Sequence, residues 1–166
     1  MRILHQDQNF IIREFSAEEK KLFCDLFKDT DVTRYLPYRS PEQYMEMFEI
    51  TLEDYRNGPF GRFGIFNAEN SDFIGMCLAR NFADVSGQIE IGYTLSKKYW
   101  GKGIATEVSR AMVKYCFLNT EGNEIVAVTA LDNTGSQKVL EKAGFTRVDN
   151  LKRSEVEMAY YIVRRS

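Results

Sequence analysis

The chain is poor in the residues on which many catalytic and metal centres depend. It has a single histidine, His5, which precedes the first predicted strand. This disfavours a Ser-His-Asp hydrolase and a histidine-rich metal site, and no metal is expected. The three cysteines, Cys24, Cys77 and Cys116, are widely spaced and form no C-x-x-C pattern. They are expected to be buried or half-buried thiols in a reducing compartment.

Long apolar runs and a large net charge are also absent. No segment approaches the length needed to span a bilayer, and the first residues lack a secretory hydrophobic region. The net charge is only −2, so neither a membrane nor nucleic acid is an expected partner. A cytoplasmic location is expected. The 166 residues are 44% hydrophobic, which is enough to bury the core of one domain spanning residues 1–166.

Periodicity and turn signals predict about seven strands and about four helices. The strands are predicted at Asn9–Phe15, Phe60–Phe66, Phe73–Arg80, Gln88–Leu95, Glu124–Ala130, Phe145–Val148 and Val156–Arg164. The helices are predicted from Ser16 to about Lys28, from Pro41 to about Arg56, from Ile104 to about Leu118, and over Ser136–Lys142. Consecutive strands in the middle and alternating strands and helices toward the end predict an α/β (α+β) fold. Its sheet would be mixed and mostly antiparallel, with helices on both faces.

The most informative segment is a strand, a loop and a helix over residues 89–107. Gly101 and Gly103 lie between the predicted strand and the predicted helix. Glycines at this place let the backbone approach a ligand closely, and the first amides of the helix have no acceptor within it. These amides lie at the positive end of the helix dipole. The segment therefore predicts a phosphate-binding loop at Gly101–Thr106.

Two known nucleotide-binding motifs do not match the sequence of this loop. A Walker A loop requires Ser or Thr after its lysine, but Gly103 follows Lys102. A dinucleotide fingerprint requires a third glycine where Thr106 stands, and it normally opens the first β-α unit of a domain. A third alternative, in which the glycines only shape a loop, stays open.

Two stretches of the chain resemble the GNAT family of N-acetyltransferases, which transfer acetyl from acetyl-CoA to an amine. The family's acetyl-CoA motif is Gln/Arg-x-x-Gly-x-Gly/Ala, and its six places here are Trp100, Gly101, Lys102, Gly103, Ile104 and Ala105. Only Trp100 departs from the motif. Downstream, Asn133-x-x-Ser136 followed by Glu141-Lys142-Ala143-Gly144-Phe145 resembles a second family element. The segment from Glu90 through the glycine loop is similar to the ribosomal-protein N-terminal acetyltransferases.

The resemblance implies a fold and an acetyl-CoA site. The fold would be a single-domain, three-layer α-β-α sandwich. The amides of Gly101–Ala105 would hold the pyrophosphate, with the side chains of Trp100, Lys102 and Thr106 beside it. The backbone of Tyr93, Thr94 and Leu95 would pair with the pantetheine arm, which Asn133 would also contact. A solvated loop lysine and a helix N-cap remain the alternative roles of Lys102 and Asn133.

Two side chains are candidates for proton transfer in the direct attack of the amine, which passes through a tetrahedral intermediate. Glu90 is on the strand that supplies the family's base, and strand alternation places it opposite to Ile89. The alternative is a surface glutamate. Leu140 stands where many family members have a tyrosine donor, so the branch resemblance implies Ser136 as the donor to the thiolate. A helix cap is its alternative role. A backbone N–H of the same strand would hold the oxyanion.

The acceptor is expected to contact Val32–Tyr44, the loop near Phe82–Gly87 and the segment Asp149–Glu155. The first of these contains four polar or aromatic candidates, Tyr35, Tyr38, Arg39 and Tyr44. The branch resemblance favours a protein or peptide N-terminal α-amine as acceptor. A small amine as acceptor, a non-catalytic acyl-CoA-binding module and an interaction protein are the alternatives, and a homodimer stays open.

Overall fold

A computed structural model describes residues 1–166 and contains eight strands and five α-helices. The strands are β1 (Ile3–Gln6), β2 (Phe10–Arg13), β3 (Gly61–Asn67), β4 (Phe73–Asn81), β5 (Gln88–Leu95), β6 (Glu124–Ala130), β7 (Thr146–Arg153) and β8 (Val156–Arg164). The helices are α1 (Lys20–Leu26), α2 (Thr30–Thr33), α3 (Pro41–Asp54), α4 (Ile104–Leu118) and α5 (Thr134–Lys142). One sheet has the order β1-β2-β3-β4-β5-β6-β8-β7. Because β5 and β6 are parallel while β6 and β8 are antiparallel, the predicted mixed sheet is confirmed.

The bounds of β5, α4, β6 and β8 agree with those predicted from the sequence. Two short elements were not predicted, β1 and α2. β1 has only four residues and no alternating pattern, and it forms because β2 pairs with it. The turn between them is fixed by Asp7, whose carboxylate accepts the amides of Asn9 and Phe10 at 2.7 and 3.0 Å. β7 extends well beyond the predicted Phe145–Val148 because β8 pairs with it as far as Arg153.

The chain divides into two compact units. The N-terminal unit comprises Met1–Leu78 and Tyr93–Lys102, and the C-terminal unit comprises Ala79–Gly92 and Gly103–Ser166. The core of the N-terminal unit is largely aromatic: Phe48 packs against Phe15 and Phe23, with ring centroids 5.8 and 5.5 Å apart. Truncating such a buried ring usually costs about 3–5 kcal/mol, so this cluster stabilises the unit strongly.

Helix α3 shows how local signals bring this core together. Its first turn contains Pro41 and a capping box in which Ser40 and Gln43 exchange hydrogen bonds. The buried residues Tyr44, Phe48 and Thr51 follow at a spacing of i, i+4 and i+7, which places them on one face of the helix.

Helix α4 organises the C-terminal unit in the same way. It buries Val108, Met112 and Cys116 at a spacing of four residues. Burial raises the pKa of the Cys116 thiol to about 12, so this cysteine stays protonated and unreactive at neutral pH. Cys77 is also buried and Cys24 is half-buried, and none of the three forms a disulfide, in agreement with the sequence prediction.

Candidate active site

Strand β5 parts from its parallel neighbour halfway along its length. Its backbone pairs with β6 at Gln88, Ile89 and Glu90, and the pairing ends there. On the other edge, the Ser96 amide donates to Ile74 O at 2.8 Å and Gln88 O accepts from the Phe82 amide at 2.9 Å. The even-numbered residues of β5 therefore turn their backbone groups toward β4, and the odd-numbered ones turn theirs to the opposite edge.

This alternation separates the three residues that were assigned to the pantetheine arm. The carbonyl of Thr94 lies against β4, so close that a Cβ on Gly75 would be 2.2 Å from its oxygen. The backbone carbonyl of Thr94 therefore faces β4, the edge opposite to the one toward which the backbones of Tyr93 and Leu95 point. The backbone groups of Tyr93 and Leu95 point to the other edge of β5, where an extended arm with amide groups would add like a strand.

Trp100 ties the loop that follows β5 back onto the strand. Its indole Nε1 donates to the Leu95 carbonyl at 2.9 Å, while 45% of its surface remains exposed. Trp100, which departs from the family motif, therefore holds the loop in place through this hydrogen bond. Its exposed aromatic face lies beside the glycine loop.

The glycine loop has the geometry expected of a phosphate site. Gly101 and Gly103 have φ angles of 72° and 79°, which side chains with a Cβ disfavour, and no atom lies within 4 Å of where a Cβ would stand. Gly103 is the N-cap of α4 and provides no side-chain cap. Lys102 is exposed and has no carboxylate within 4 Å. Open space, uncapped helix amides and a lysine without a carboxylate partner together suit the pyrophosphate of coenzyme A.

Glu90 is the only buried carboxylate of the chain, with 5% of its surface exposed. Its Oε1 accepts from Arg80 Nε at 3.0 Å, and its Oε2 accepts from Arg153 Nη1 at 3.1 Å. The glutamate is thus not the solvated surface residue of the alternative interpretation. Neither arginine was predicted from the sequence as part of the site, although Arg153 lies in a segment expected near the acceptor.

Asn133 and Ser136 meet at the start of α5. Asn133 Oδ1 accepts from the Ser136 amide at 3.1 Å, which makes Asn133 the N-cap. Its side-chain NH2 has no hydrogen-bond partner in the protein, so the capping role leaves a donor free for a ligand. Ser136 is half-buried, and Leu140 one turn later is buried in the core.

The expected acceptor residues divide into two groups. Tyr38 is almost fully exposed, and Tyr35 and Arg39 are partly exposed. The preceding helix α2 is held to the segment after β5 by an ion pair of Asp31 with Lys97 Nζ at 2.5 Å. Tyr44 is different: it is buried and stacks on Phe27 with ring centroids 4.3 Å apart. The expectation that Tyr44 contributes to the acceptor surface was wrong, because its aromatic ring serves the core.

Comparison with known proteins identifies the family. The sequence profile of the "Acetyltransferase (GNAT) domain" matches residues 9–146. The "Probable N-acetyltransferase YjcK" of Bacillus subtilis (strain 168) is 38% identical over 137 residues, which are 81% of this chain and 74% of that protein. The chain belongs to the GNAT family and is an N-acetyltransferase that takes its acetyl group from acetyl-CoA.

Two further similarities extend this assignment. The "Putative ribosomal N-acetyltransferase YdaF" of Bacillus subtilis (strain 168) is 37% identical over 71 residues, 43% of this chain and 39% of that protein. The crystal structure of a GNAT-family acetyltransferase from Bacillus anthracis superposes with a TM-score of 0.82 and 22% identity, covering 98% of each chain. The predicted fold class is therefore confirmed, with one more strand and one more helix than expected. None of the helices has the length and apolar character needed to cross a membrane.

Proposed function

We propose that residues 1–166 form one acetyltransferase domain that acetylates the N-terminal α-amine of a protein or peptide. The observation that carries this proposal is the buried carboxylate of Glu90 on β5, in a chain whose only histidine lies on β1. An α-amine with a pKa near 8 is roughly a tenth neutral at pH 7, whereas a lysine near 10.4 is neutral in less than about one part in a thousand. A carboxylate that acts through water is a base suited to the first of these amines.

Glu90 accepts the ammonium proton through a bridging water. Each of its carboxylate oxygens already accepts one arginine hydrogen bond, but a carboxylate oxygen has two lone pairs. One acceptor site on each oxygen is thus left for water. The arginines fix the orientation of the carboxylate, which a base must keep while the acceptor enters.

Acetyl-CoA binds along β5 and the glycine loop. The amides of Gly101, Lys102, Gly103, Ile104 and Ala105, together with the first turn of α4 at Thr106, hold the pyrophosphate. The backbone of Tyr93, the backbone N–H of Leu95 and the side-chain NH2 of Asn133 hold the pantetheine arm. The indole of Trp100, which donates to the Leu95 carbonyl, covers the loop. Ser136 gives its hydroxyl proton to the departing thiolate and recovers a proton from solvent water, a role that Leu140 cannot serve.

The acceptor enters past Tyr35, Tyr38 and Arg39. Their exposure in the segment after α2 supports this role. The similarity to YdaF, which carries the name of a ribosomal N-acetyltransferase, favours a protein terminus over a small amine.

A rate comparison tests the acceptor class. With acetyl-CoA as donor, kcat/KM is measured for peptides with a free N-terminus, for N-blocked peptides containing lysine, and for polyamines and aminoglycosides. We expect the free N-terminal peptides to react fastest. Faster turnover of the blocked lysine peptides or of the small amines would overturn the proposed acceptor and leave the acetyltransferase assignment intact.

A further inference from the structure

Two arginines converge on one buried carboxylate in the C-terminal unit. Arg80 approaches Glu90 from the end of β4, and Arg153 approaches it from the end of β7. Neither arginine has another carboxylate within 4 Å. The cluster therefore has an excess of one positive charge, unlike the one-to-one pair of Arg164 with Glu124 nearby.

Both arginines keep a complete pair of donors free. Arg80 uses only its Nε, so its two Nη groups remain without a partner in the protein. Arg153 uses only Nη1, so its Nε and Nη2 remain free. Two neighbouring N–H groups of a guanidinium match the two oxygens of a carboxylate. With 49% and 35% of their side chains exposed, the arginines present these donors to solvent.

The backbone beside Arg153 is held in an unusual conformation. β7 and β8 are joined by a two-residue turn, Ser154-Glu155, in which both residues have positive φ angles of 51° and 65°. Hairpins with this turn normally use Asn and Gly, because other residues disfavour the left-handed region. Residues held in such a conformation are concentrated at functional sites. Here the tight turn follows Arg153 directly and fixes the end of the strand from which its side chain reaches Glu90.

Glu90 makes the arrangement of the two arginines stable. Two guanidinium groups repel each other at close range, and a carboxylate between them removes this repulsion. Arg153 also lies over the ring of buried Phe82, 5.7 Å from its centroid, which restricts the side chain further. The result is a preformed pair of arginine donors, supplied by the ends of β4 and β7, beside the proposed base Glu90 on β5.

We propose that Arg80 and Arg153 bind a carboxylate of the acceptor, so that the enzyme prefers acceptors with an acidic group near the reacting amine. The proposal rests on the proposed function, in which Glu90 is next to the reacting amine. For a peptide acceptor, the carboxylate belongs to an Asp or Glu side chain within the first few residues. Glu90 is then both the proposed base and the group that positions the two arginines.

Peptides that differ in a single residue test this preference. At each of positions two to four, kcat/KM is measured for a Glu peptide and for the matching Gln peptide. We expect the Glu peptide to be favoured about tenfold or more at one of these positions, the scale of one charge-assisted hydrogen bond. Arg80→Met and Arg153→Met should each reduce this ratio at least fivefold. Arg56→Met, which removes an exposed arginine of the N-terminal unit, should leave the ratio unchanged.

Inhibition of the unaltered enzyme tests the proposal even if an arginine variant fails to fold. In the unaltered enzyme, glutarate should inhibit competitively against the peptide, whereas the uncharged glutaramide should not. Glu-to-Gln ratios near one at all positions, or equal inhibition by the two compounds, would overturn the acidic preference. If small amines react faster than peptides but the acidic member of each pair is still preferred, the arginine site stands and the proposed acceptor class is wrong.

Discussion

At the scale of single residues, Glu90 is the group on which the proposed chemistry depends. We expect Glu90→Gln to lower kcat about 10²-fold, the usual scale for the loss of a general base, with nearly unchanged acetyl-CoA affinity. The change removes the proton acceptor and keeps the size of the side chain. Steady-state kinetics together with calorimetric titration of acetyl-CoA would measure both quantities.

Glu124→Gln is the matched control for this change. Glu124 is on β6, accepts hydrogen bonds from Gln88 and Arg164, and is only partly exposed. Glu124→Gln therefore removes a hydrogen-bonded carboxylate at a position with no proposed part in the reaction. We expect kcat to change little. If Glu90→Gln turned over as fast as the unaltered enzyme at every pH, Glu90 would not be the base.

The surroundings of Glu90 could not be predicted from the sequence, although its place on a strand could. Alternation assigned Glu90 to a face of β5, which needs only the local pattern. Its contacts with Arg80 and Arg153 depend on the pairing between β4 and β5 and on the length of β7. Since β7 was predicted to end at Val148 rather than Arg153, this arginine was expected only in a loop.

At the scale of elements, the junction between β5 and α4 decides whether acetyl-CoA binds. We expect Gly103→Glu to abolish binding while the protein stays folded. The substitution places a side chain and a negative charge in the open space beside the uncapped amides of α4. Calorimetry on a variant whose folding has been verified by circular dichroism would measure the loss.

A second glycine with a positive φ, Gly144, provides the control. Gly144 has a φ of 101°, has no atom within 4 Å of the place that a Cβ would take, and follows the end of α5. Gly144→Glu therefore introduces the same charge and a similar strain at another helix end, and acetyl-CoA affinity should be retained. Unchanged affinity in folded Gly103→Glu would remove the phosphate site from this loop.

The elements that the sequence predicted best are those with strong local signals. The glycines before α4 and the alternation in β5 defined both elements to the residue. The helix predicted from Ser16 to about Lys28 begins instead with a short 3-10 turn, and its α-helical part is Lys20–Leu26. The short elements β1 and α2 and the second half of β7 have weak local patterns. The two strand segments form because a neighbouring strand pairs with them. Helix α2 forms because the Asp29 carboxylate caps its first turn. Contacts that the hydrophobic pattern does not encode therefore determine all three elements.

At the scale of the whole molecule, acetyl-CoA should stabilise the folded chain. A ligand that binds only the folded state adds free energy in proportion to the logarithm of its concentration. Each tenfold increase in acetyl-CoA above its Kd should therefore add about 1.4 kcal/mol to the free energy of unfolding. For a chain of 166 residues, this corresponds to a rise in Tm of roughly 3–6 °C.

Thermal melts over a range of acetyl-CoA concentrations would measure this dependence of Tm on ligand. Two comparisons test whether the stabilisation comes from binding at the glycine loop. Acetyl-pantetheine lacks the pyrophosphate and should raise Tm much less at equal concentration. The Gly103→Glu variant should melt at the same temperature with and without acetyl-CoA, whereas Gly144→Glu should respond like the unaltered protein. A Tm that rises equally with acetyl-pantetheine would show that the pyrophosphate contributes little, and that the contacts of the pantetheine arm at Tyr93, Leu95 and Asn133 supply most of the binding free energy.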